Sequence, residues 1–444
     1  MKSVKLRKLS KGSGPAKNRD VLRQNWYGAR IAILGFGREG RDTFLFLRKL
    51  FPKKVLGIGD RNENVKCQMP NAKKVRWRLG KNYLKVLKNY DVIIKSPGIP
   101  FKVLPKSALK KITTQTDIFF QNCPGKIIGV TGTKGKSTTS SLIYQVLKKS
   151  GVKTKLVGNI GKPVLMSLLK AKKSDVFVYE LSSHQLYNLK KSPHIAVLLN
   201  IYPEHLDYYR SFREYVTAKA NIAKYQGKKD YLIYNSSDPI VKKISQKSSA
   251  KKLPIKGKYY QLNVAAAKRV GEIFKISEKT IRKAIEEFKP LPHRLELVGA
   301  FKGIEFYNDS LSTIPETTIE ALDFLSDRVQ ALILGGFDRG LDFQKLAKRI
   351  LESKVKTLIL FPETGERILA EIVRHISKSS RKKNKLDLRH FFCKKMEKAI
   401  DLAYQQTEKG KICLMSPASP SFGLFKDYAE RGDLFKKLVK KKGK

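Results

Sequence analysis

The sequence predicts an α/β protein of three domains with mainly parallel sheets. Three observations lead there. Apolar strand-like runs alternate with helical ones along the chain, which is the rhythm of βαβ units. Two of these runs pass through a glycine-rich turn directly into a helix. Turn-rich breaks at 122–126 and 289–294 divide the 444 residues into lengths suited to separate cores.

Residues 1–28 are polar and basic and read as a loose arm. The first domain, 29–122, holds strands at 31–34, 55–58 and 92–95, with a helical run at 41–50 between the first two. The central domain, 123–291, opens on a strand at 126–131, followed by a glycine-rich turn and a helix over 137–149. Strands at 175–180, 195–200 and 230–235 follow, and a helix starts near Phe212. The last domain, 292–444, carries strands at 303–308, 330–336, 356–361 and 411–416. The lysine-rich end, 436–444, reads as frayed.

Lys and Arg number 92 against 38 Asp and Glu, a net charge of +54. A surplus of that size attracts nucleic acid, acidic membrane surfaces or anionic ligands. The lysines run from Lys2 to Lys444 without concentrating on one segment, and no zinc-finger, helix-turn-helix or aromatic-interleaved RNA motif stands out. A dedicated nucleic-acid partner is therefore not expected. No apolar run approaches the ~18 residues of a membrane helix. The first thirty residues lack the apolar centre of a signal peptide, so a cytoplasmic location without a membrane span is expected. Cys67, Cys123, Cys393 and Cys413 are isolated, which argues against a disulfide or zinc framework.

The chemistry sits after strands. In G-F-G-R-E-G, Gly35, Gly37 and Gly40 let a backbone approach a pyrophosphate at a helix N-terminus, and Asp60 ends the next strand where an acid would bond a ribose. A plain tight turn gives the same spacing. In G-V-T-G-T-K-G-K-S-T the signal is stronger. Gly132, Thr133, Lys134 and Gly135 form a turn offering backbone N–H groups, Lys136 suits β- and γ-phosphates, and Ser137 and Thr138 open the helix, with the Ser137 hydroxyl suited to Mg²⁺. Position 130 is Val, so the match to a strict P-loop is incomplete. Glu180 ends a strand beside this loop and suits the same cation. His205, read alone, is a surface or capping histidine, and Lys219 a solvated lysine.

The order of these blocks carries a resemblance. The phosphate loop, E-L-S-S, H-L-D with A-K about fourteen residues on, L-P-H-R, Y-N-D-S and a terminal S-P-A-S-P block resemble the Mur ligases over roughly residues 30–436. The D-V-I-I-K-S-P-G-I-P block at 91–100 and the segment 416–432 are most similar to the branch that adds glutamate. The resemblance implies a Rossmann-like UDP-binding domain, a central P-loop ATPase domain and a C-terminal Rossmann-like domain. It implies an ATP- and Mg²⁺-dependent ligase of peptidoglycan synthesis that joins D-glutamate to UDP-N-acetylmuramoyl-L-alanine through an acyl phosphate. It further implies that Gly35, Gly37, Asp60, Arg61, Ser96, Pro97, Gly98 and Asn159 hold the UDP-substrate. Asn263, Arg294 and Asp309 would join the phosphate loop on ATP. His205 and a carbamylated Lys219 would join Ser137 and Glu180 as metal ligands, making Lys136, His205 and Lys219 the catalytic set. Thr313, Arg339, Ser421, Phe422 and Tyr428 would hold the glutamate in a protein expected to be a monomer.

The chain departs from the family pattern in places. Tyr259 and Tyr260 stand where the family has His-Asn, so one adenine contact is missing or replaced. Leu311 and Arg339 stand where lysines are common, and a guanidinium fork is not interchangeable with an ammonium. The stretch 236–256 is short for the central domain. Those changes fall around the amino acid and leave L-glutamate as an alternative. A basic P-loop protein that binds nucleic acid has no use for L-P-H-R or S-P-A-S-P, and a nicotinamide dehydrogenase leaves the phosphate loop unexplained.

Overall fold

The computed structural model describes residues 23–24, 26–69, 73–205, 208–257, 259–378 and 388–443. Of the expected arm at 1–28, residues 1–22 and 25 lie outside the described residues, as do Leu206 and Asp207 of H-L-D and Lys444. The chain divides into two compact units, 1–288 and 289–444.

The first unit contains two parallel sheets. One has strands β1 (Ile31–Leu34), β2 (Leu56–Asp60), β3 (Val75–Leu79), β4 (Val92–Lys95) and β5 (Ile112–Thr114), in the order β3-β2-β1-β4-β5. The other has β6 (Lys126–Thr131), β7 (Thr154–Gly158), β8 (Val176–Glu180), β9 (Ile195–Leu198), β10 (Tyr231–Asn235) and β11 (Lys251–Ile255), in the order β11-β10-β9-β6-β8-β7. In both, the strand that feeds a glycine-rich turn is central, with its neighbours reached in opposite directions. That arrangement opens a crevice at the carboxyl ends, where α/β sheets bind ligands.

The break expected near 122 is not a break in packing. Helix Gln115–Asn122 buries Ile118, Phe119 and Phe120, and Phe119 meets Phe177 and Tyr179 of β8 edge-on at 5.1 and 5.7 Å. One hydrophobic cluster therefore runs from β1 and β2 into the central sheet. The basic arm likewise ends sooner than residue 28. Trp26 is only 1% exposed and belongs to that cluster, while Lys54 Nζ donates to the carbonyls of Trp26, Tyr27 and Ala29. A large aromatic ring outweighs the charge of its neighbours here.

The short stretch after β10 still completes a βαβ unit, with helix Pro239–Gln246 capped by Asp238 and followed by β11. Pro254 sits in β11, an edge strand that tolerates a missing donor.

The second unit has one mixed sheet of β12 (Glu296–Phe301), β13 (Ile304–Asn308), β14 (Val329–Gly335), β15 (Thr357–Phe361), β16 (Arg389–Phe392) and β17 (Ile412–Met415). Its order is β12-β13-β17-β14-β15-β16, with only the β12–β13 pair antiparallel. The end expected to fray is part of helix Tyr428–Gly443. Phe435, Leu438 and Val439 are buried and recur at helical spacing, so one face packs on the sheet while the lysines stay outside.

Candidate active site

The first crevice lies between β1 and β4. Ser96 Oγ donates to the Gly35 carbonyl at 2.7 Å and so joins the two strand ends. The Phe36 amide donates to Asp60 Oδ2 at 2.5 Å, and the Asn62 amide to Asp60 Oδ1 at 2.8 Å. Asp60, expected on a ribose, thus holds the glycine turn in shape from the neighbouring strand. Arg61 is exposed beside it. Gly37 opens helix Arg38–Leu50, and a Cβ there would meet nothing within 4 Å, leaving the helix N-terminus open to an anion. Gly40 is the opposite case. A Cβ on it would lie 2.1 Å from the Gly35 carbonyl oxygen. Gly40→Ala must push the turn off the helix, and we expect a loss of about 1–3 kcal/mol in thermal or urea unfolding. An unchanged midpoint would show that the turn moves freely.

Pro97 and Gly98 follow Ser96 in a loop gripped from two sides. Lys95, buried at the end of β4, donates from Nζ to the carbonyls of Ser96 and Ile99, and burial lowers its pKa to about 7. Tyr208 of the central domain directs its hydroxyl at the carbonyls of Pro97 and Ile99, at 2.9 and 3.1 Å. Neither residue was singled out by the sequence reading.

The second crevice gathers the phosphate loop at the end of β6, Glu180 at the end of β8 and the segment after β9. Gly135 has φ +81° and serves as N-cap of helix Lys136–Lys149, where a Cβ would lie 2.6 Å from Asn263 Oδ1. Thr133 is buried with its hydroxyl 2.9 Å from that of Tyr215, and the Lys134 amide donates to Asn200 Oδ1. Ser137 and Thr138 are buried in the first helical turn. Asn263, expected on adenine, is itself buried, with its Oδ1 accepting from Thr139 Oγ1 at 2.9 Å. It braces the loop helix. Tyr260 is half-buried on helix Tyr259–Ile273, which also carries Asn263.

Two lysines converge on one oxygen. Lys136 Nζ donates to the Gly132 carbonyl at 3.0 Å and to that of Thr133 at 2.7 Å. Lys219, on helix Phe212–Lys224, donates to the same Gly132 carbonyl at 2.7 Å and is 1% exposed. Burial, then the like charges of Lys136 and Lys134, push the Lys219 pKa well below its ordinary value. The solvated lysine of the plain reading is therefore replaced by a buried amine at the phosphate loop.

Glu180 is also buried. Its Oε1 accepts from Asn159 Nδ2 at 3.0 Å, and its Oε2 has no hydrogen-bond partner among the described residues. Asn159, expected on the muramoyl part, therefore orients Glu180, and Arg38 of the first domain donates to the Asn159 and Gly161 carbonyls. His205 has φ +58°, and its Nε2 lies 3.7 Å from Glu204. Glu204 pairs with Lys134 at 2.9 Å; burial opposes its charge, but Lys134, His205 and Lys136 hold its pKa down to about 2. Glu204 was passed over in the sequence, although it adjoins His205. Among the described residues no three His, Cys, Asp or Glu side chains form a ready metal cluster. A cation here would rely on hydroxyl, phosphate or modified-lysine oxygens besides Glu180.

In the second unit, β13, β17 and β14 are neighbours, so the segments after Asn308, Met415 and Gly335 lie side by side. Asp309 is fully enclosed; it accepts from the Leu295 amide and Ser416 Oγ, and burial raises its pKa to about 6. Arg294 lies next to Leu295, at the entry to β12, and Thr313 in the loop before helix Pro315–Leu325. Arg339 is exposed, with its guanidinium 5.4 Å from the centre of the Phe422 ring. Ser421 is buried beneath Phe422, whereas Phe422 and Tyr428 are 46% and 42% exposed. The exposed Arg339 guanidinium, resting on the Phe422 ring, offers donors suited to a small carboxylate.

Comparison with known proteins shows the family and the fold. Residues 130–302 match the Mur ligase middle domain, and 293–419 the glutamate ligase domain of the Mur ligases. The chain is 32% identical to a UDP-N-acetylmuramoylalanine–D-glutamate ligase of Acetivibrio thermocellus, covering 92% of this chain and 96% of the relative. It is 33% identical to the protein of that name from Clostridium tetani, covering 93% and 97%. Among solved structures, the MurF ligase of Thermotoga maritima in complex with ADP has a TM-score of 0.58 at 16% identity, covering all of both chains. MurF from Acinetobacter baumannii has a TM-score of 0.59 at 14% identity, covering 93% of this chain and 92% of that one.

Proposed function

The chain belongs to the Mur ligase family, and we propose that it adds D-glutamate to UDP-N-acetylmuramoyl-L-alanine in peptidoglycan synthesis, with its residues dividing the work as follows. The enzyme is an ATP-dependent amide-bond-forming ligase. The carboxylate of the alanyl group attacks the γ-phosphorus of ATP and ADP leaves. The amine of glutamate then attacks the acyl phosphate carbon, losing a proton, and inorganic phosphate departs. Such chemistry needs alignment and charge neutralisation more than covalent help from the protein.

Lys136 and the amides of 132–138 hold the phosphates. The first crevice takes the UDP end, with Gly35, Gly37, Ser96, Pro97 and Gly98 presenting backbone, Asp60 fixing the turn and Arg61 beside it. Asn263, Arg294 and Asp309 serve the nucleotide, Asn263 through the loop helix it braces. Thr313, Arg339, Ser421, Phe422 and Tyr428 form the amino-acid pocket. The donors fit Mg²⁺: Glu180 offers a buried oxygen with no hydrogen-bond partner among the described residues, and Ser137 a hydroxyl in the first turn of the loop helix, with His205 and a carbamylated Lys219 as further ligands. The cation supplies neutralisation of phosphate charge.

The observation that carries this reading is the meeting of Lys136 and Lys219 at one carbonyl of the phosphate loop, a few residues from the strand end that presents Glu180. The names of the relatives favour the D isomer over L-glutamate. Purified protein with ATP, Mg²⁺, UDP-N-acetylmuramoyl-L-alanine and each glutamate isomer should release phosphate with D-glutamate. Release with the L isomer alone would reverse the assignment of stereochemistry, and no release with either would remove the reading.

A separate expectation concerns the first crevice. UDP should raise the melting temperature through preferential binding to the folded state, which adds about 2.7 kcal/mol to the unfolding free energy at a hundredfold excess over Kd. NAD should not. Protection by NAD without protection by UDP would return this domain to a dinucleotide role.

A further inference from the structure

We propose that Arg431 is a positioning residue of the amino-acid pocket, which sets the affinity for the incoming glutamate without touching it. The inference rests on the reading of that pocket given above. Arg431 lies on helix Tyr428–Gly443 and is among the largest fully buried side chains of the chain. A buried guanidinium is held in place by its acceptors, and here nearly all are main-chain or hydroxyl oxygens of functional loops. Nε donates to Ser310 Oγ at 3.0 Å, and Nη2 to the Ser310 carbonyl at 2.8 Å. Nη1 and Nη2 both donate to the Ser419 carbonyl, at 3.2 and 3.1 Å. Ser310 Oγ in turn donates to the Tyr428 carbonyl at 2.7 Å.

The guanidinium therefore ties three segments together: the loop that leads to Thr313, the loop that leads to Ser421 and Phe422, and the first turn of the helix that presents Tyr428. A fourth segment is close, since a Cβ on Gly336 would lie 3.3 Å from Arg431 Nη1, and Gly336 precedes Arg339 by three residues. The loop that carries Ser419 also contains Ala418 at φ +56°, a backbone state that costs energy outside glycine and is kept only where the surroundings fix it. The carbonyls on either side of Ala418 are both taken, that of Pro417 by the Gly335 amide and that of Ser419 by Arg431. Burial lowers the Arg431 pKa to about 9, opposed by the nearby Asp309. That desolvation is tolerable because the planar fork fills four contacts at once. An ammonium, with three donors on a flexible stem, cannot reproduce that geometry.

The test is steady-state kinetics on the full chain with ATP, UDP-N-acetylmuramoyl-L-alanine and D-glutamate. Arg431→Lys should raise KM for D-glutamate about tenfold or more, since a shift of the order of 1 Å in a positioning shell has effects of that size. KM for the UDP-substrate should stay within about twofold. Ser310→Ala removes the hydroxyl between Arg431 and Tyr428 and should move KM for D-glutamate the same way with a smaller loss of melting temperature; it decides the matter if Arg431→Lys does not fold. Val439→Ala, a cavity in the core of the same unit, should lower the melting temperature and leave KM for D-glutamate alone. The proposal is overturned if Ser310→Ala, and Arg431→Lys where it folds, keep the wild-type KM for D-glutamate. It is overturned equally if both substrates' KM values move together, or if Val439→Ala gives the same kinetic change. Failure of the wild-type protein to turn over D-glutamate at all would instead strike the functional reading beneath it.

Discussion

Lys136→Ala should leave a folded protein whose ATP-dependent product formation is lower by a factor of about 10² to 10³. The size follows from removing one charge-assisted contact to developing phosphoryl charge, worth several kcal/mol in a water-poor site. Folding should survive because the carbonyls that Lys136 bonds are not both orphaned: Gly132 keeps Lys219 Nζ at 2.7 Å, and only the Thr133 carbonyl loses its lysine. The substitution also removes the largest like charge acting on buried Lys219. Melting temperature and phosphate release, measured on one preparation, separate the effects. Turnover near the wild-type level in a folded variant would show that this loop is not the ATP site.

The motifs were legible because each needs a residue type at a strand end. Gly135 needs positive φ, Glu180 needs the carboxyl end of β8, and both positions follow from local pattern. The strands read from sequence fall on β1, β2, β4, β6, β8, β9, β10, β13, β14, β15 and β17, in which most residues are buried. Those missed are β3, β5, β7, β11, β12 and β16. These are the edge or near-edge members of their sheets, short or alternating, such as Val75–Leu79 with two arginines pointing out. An edge strand is stabilised by its neighbour more than by its own composition.

What the sequence hid at the site were the long-range supports. Lys95 and Arg431 fall inside segments that carry the resemblance, yet nothing local assigns a role to them, to Glu204 or to Tyr208. Their roles come from burial and, except for Lys95, from partners far away in sequence: Glu204 pairs with Lys134, Tyr208 bonds the Pro97 carbonyl, and Arg431 bonds Ser310 across 121 residues. The same holds for Asp60 and Asn159. Both occupy their motif positions, yet their side-chain oxygens and amides are turned toward the Phe36 amide and Glu180. The domain limits show the complementary effect. A turn-rich sequence at 122–126 suggests a linker, but the phenylalanines just before it bind the first two sheets into one unit.

Lys219→Ala should be nearly inactive, and small carboxylates should restore part of the activity. Mg²⁺ takes hard oxygen ligands, and a protonated amine offers none. Reaction of neutral Nζ with carbon dioxide forms a carbamate and releases a proton, converting a cation into an oxygen donor. The structure supplies what that step needs. Lys219 is buried, and desolvation followed by the charges of Lys136 and Lys134 drives its pKa well below normal, so the neutral amine is accessible. Once formed, the anion would be favoured by those same lysines. Removing the side chain should cost about 10² or more in turnover, comparable with loss of a charge-stabilising donor. Acetate or formate can occupy the vacated position, so either should restore activity beyond what chloride does at equal ionic strength. Independently of activity, ¹³C-labelled bicarbonate should give a carbamate carbon resonance in the wild-type protein and none in Lys219→Ala. Full activity of Lys219→Ala, or of Lys219→Arg, whose guanidinium cannot be carbamylated under these conditions, would reduce Lys219 to a buried prop for the Gly132 carbonyl.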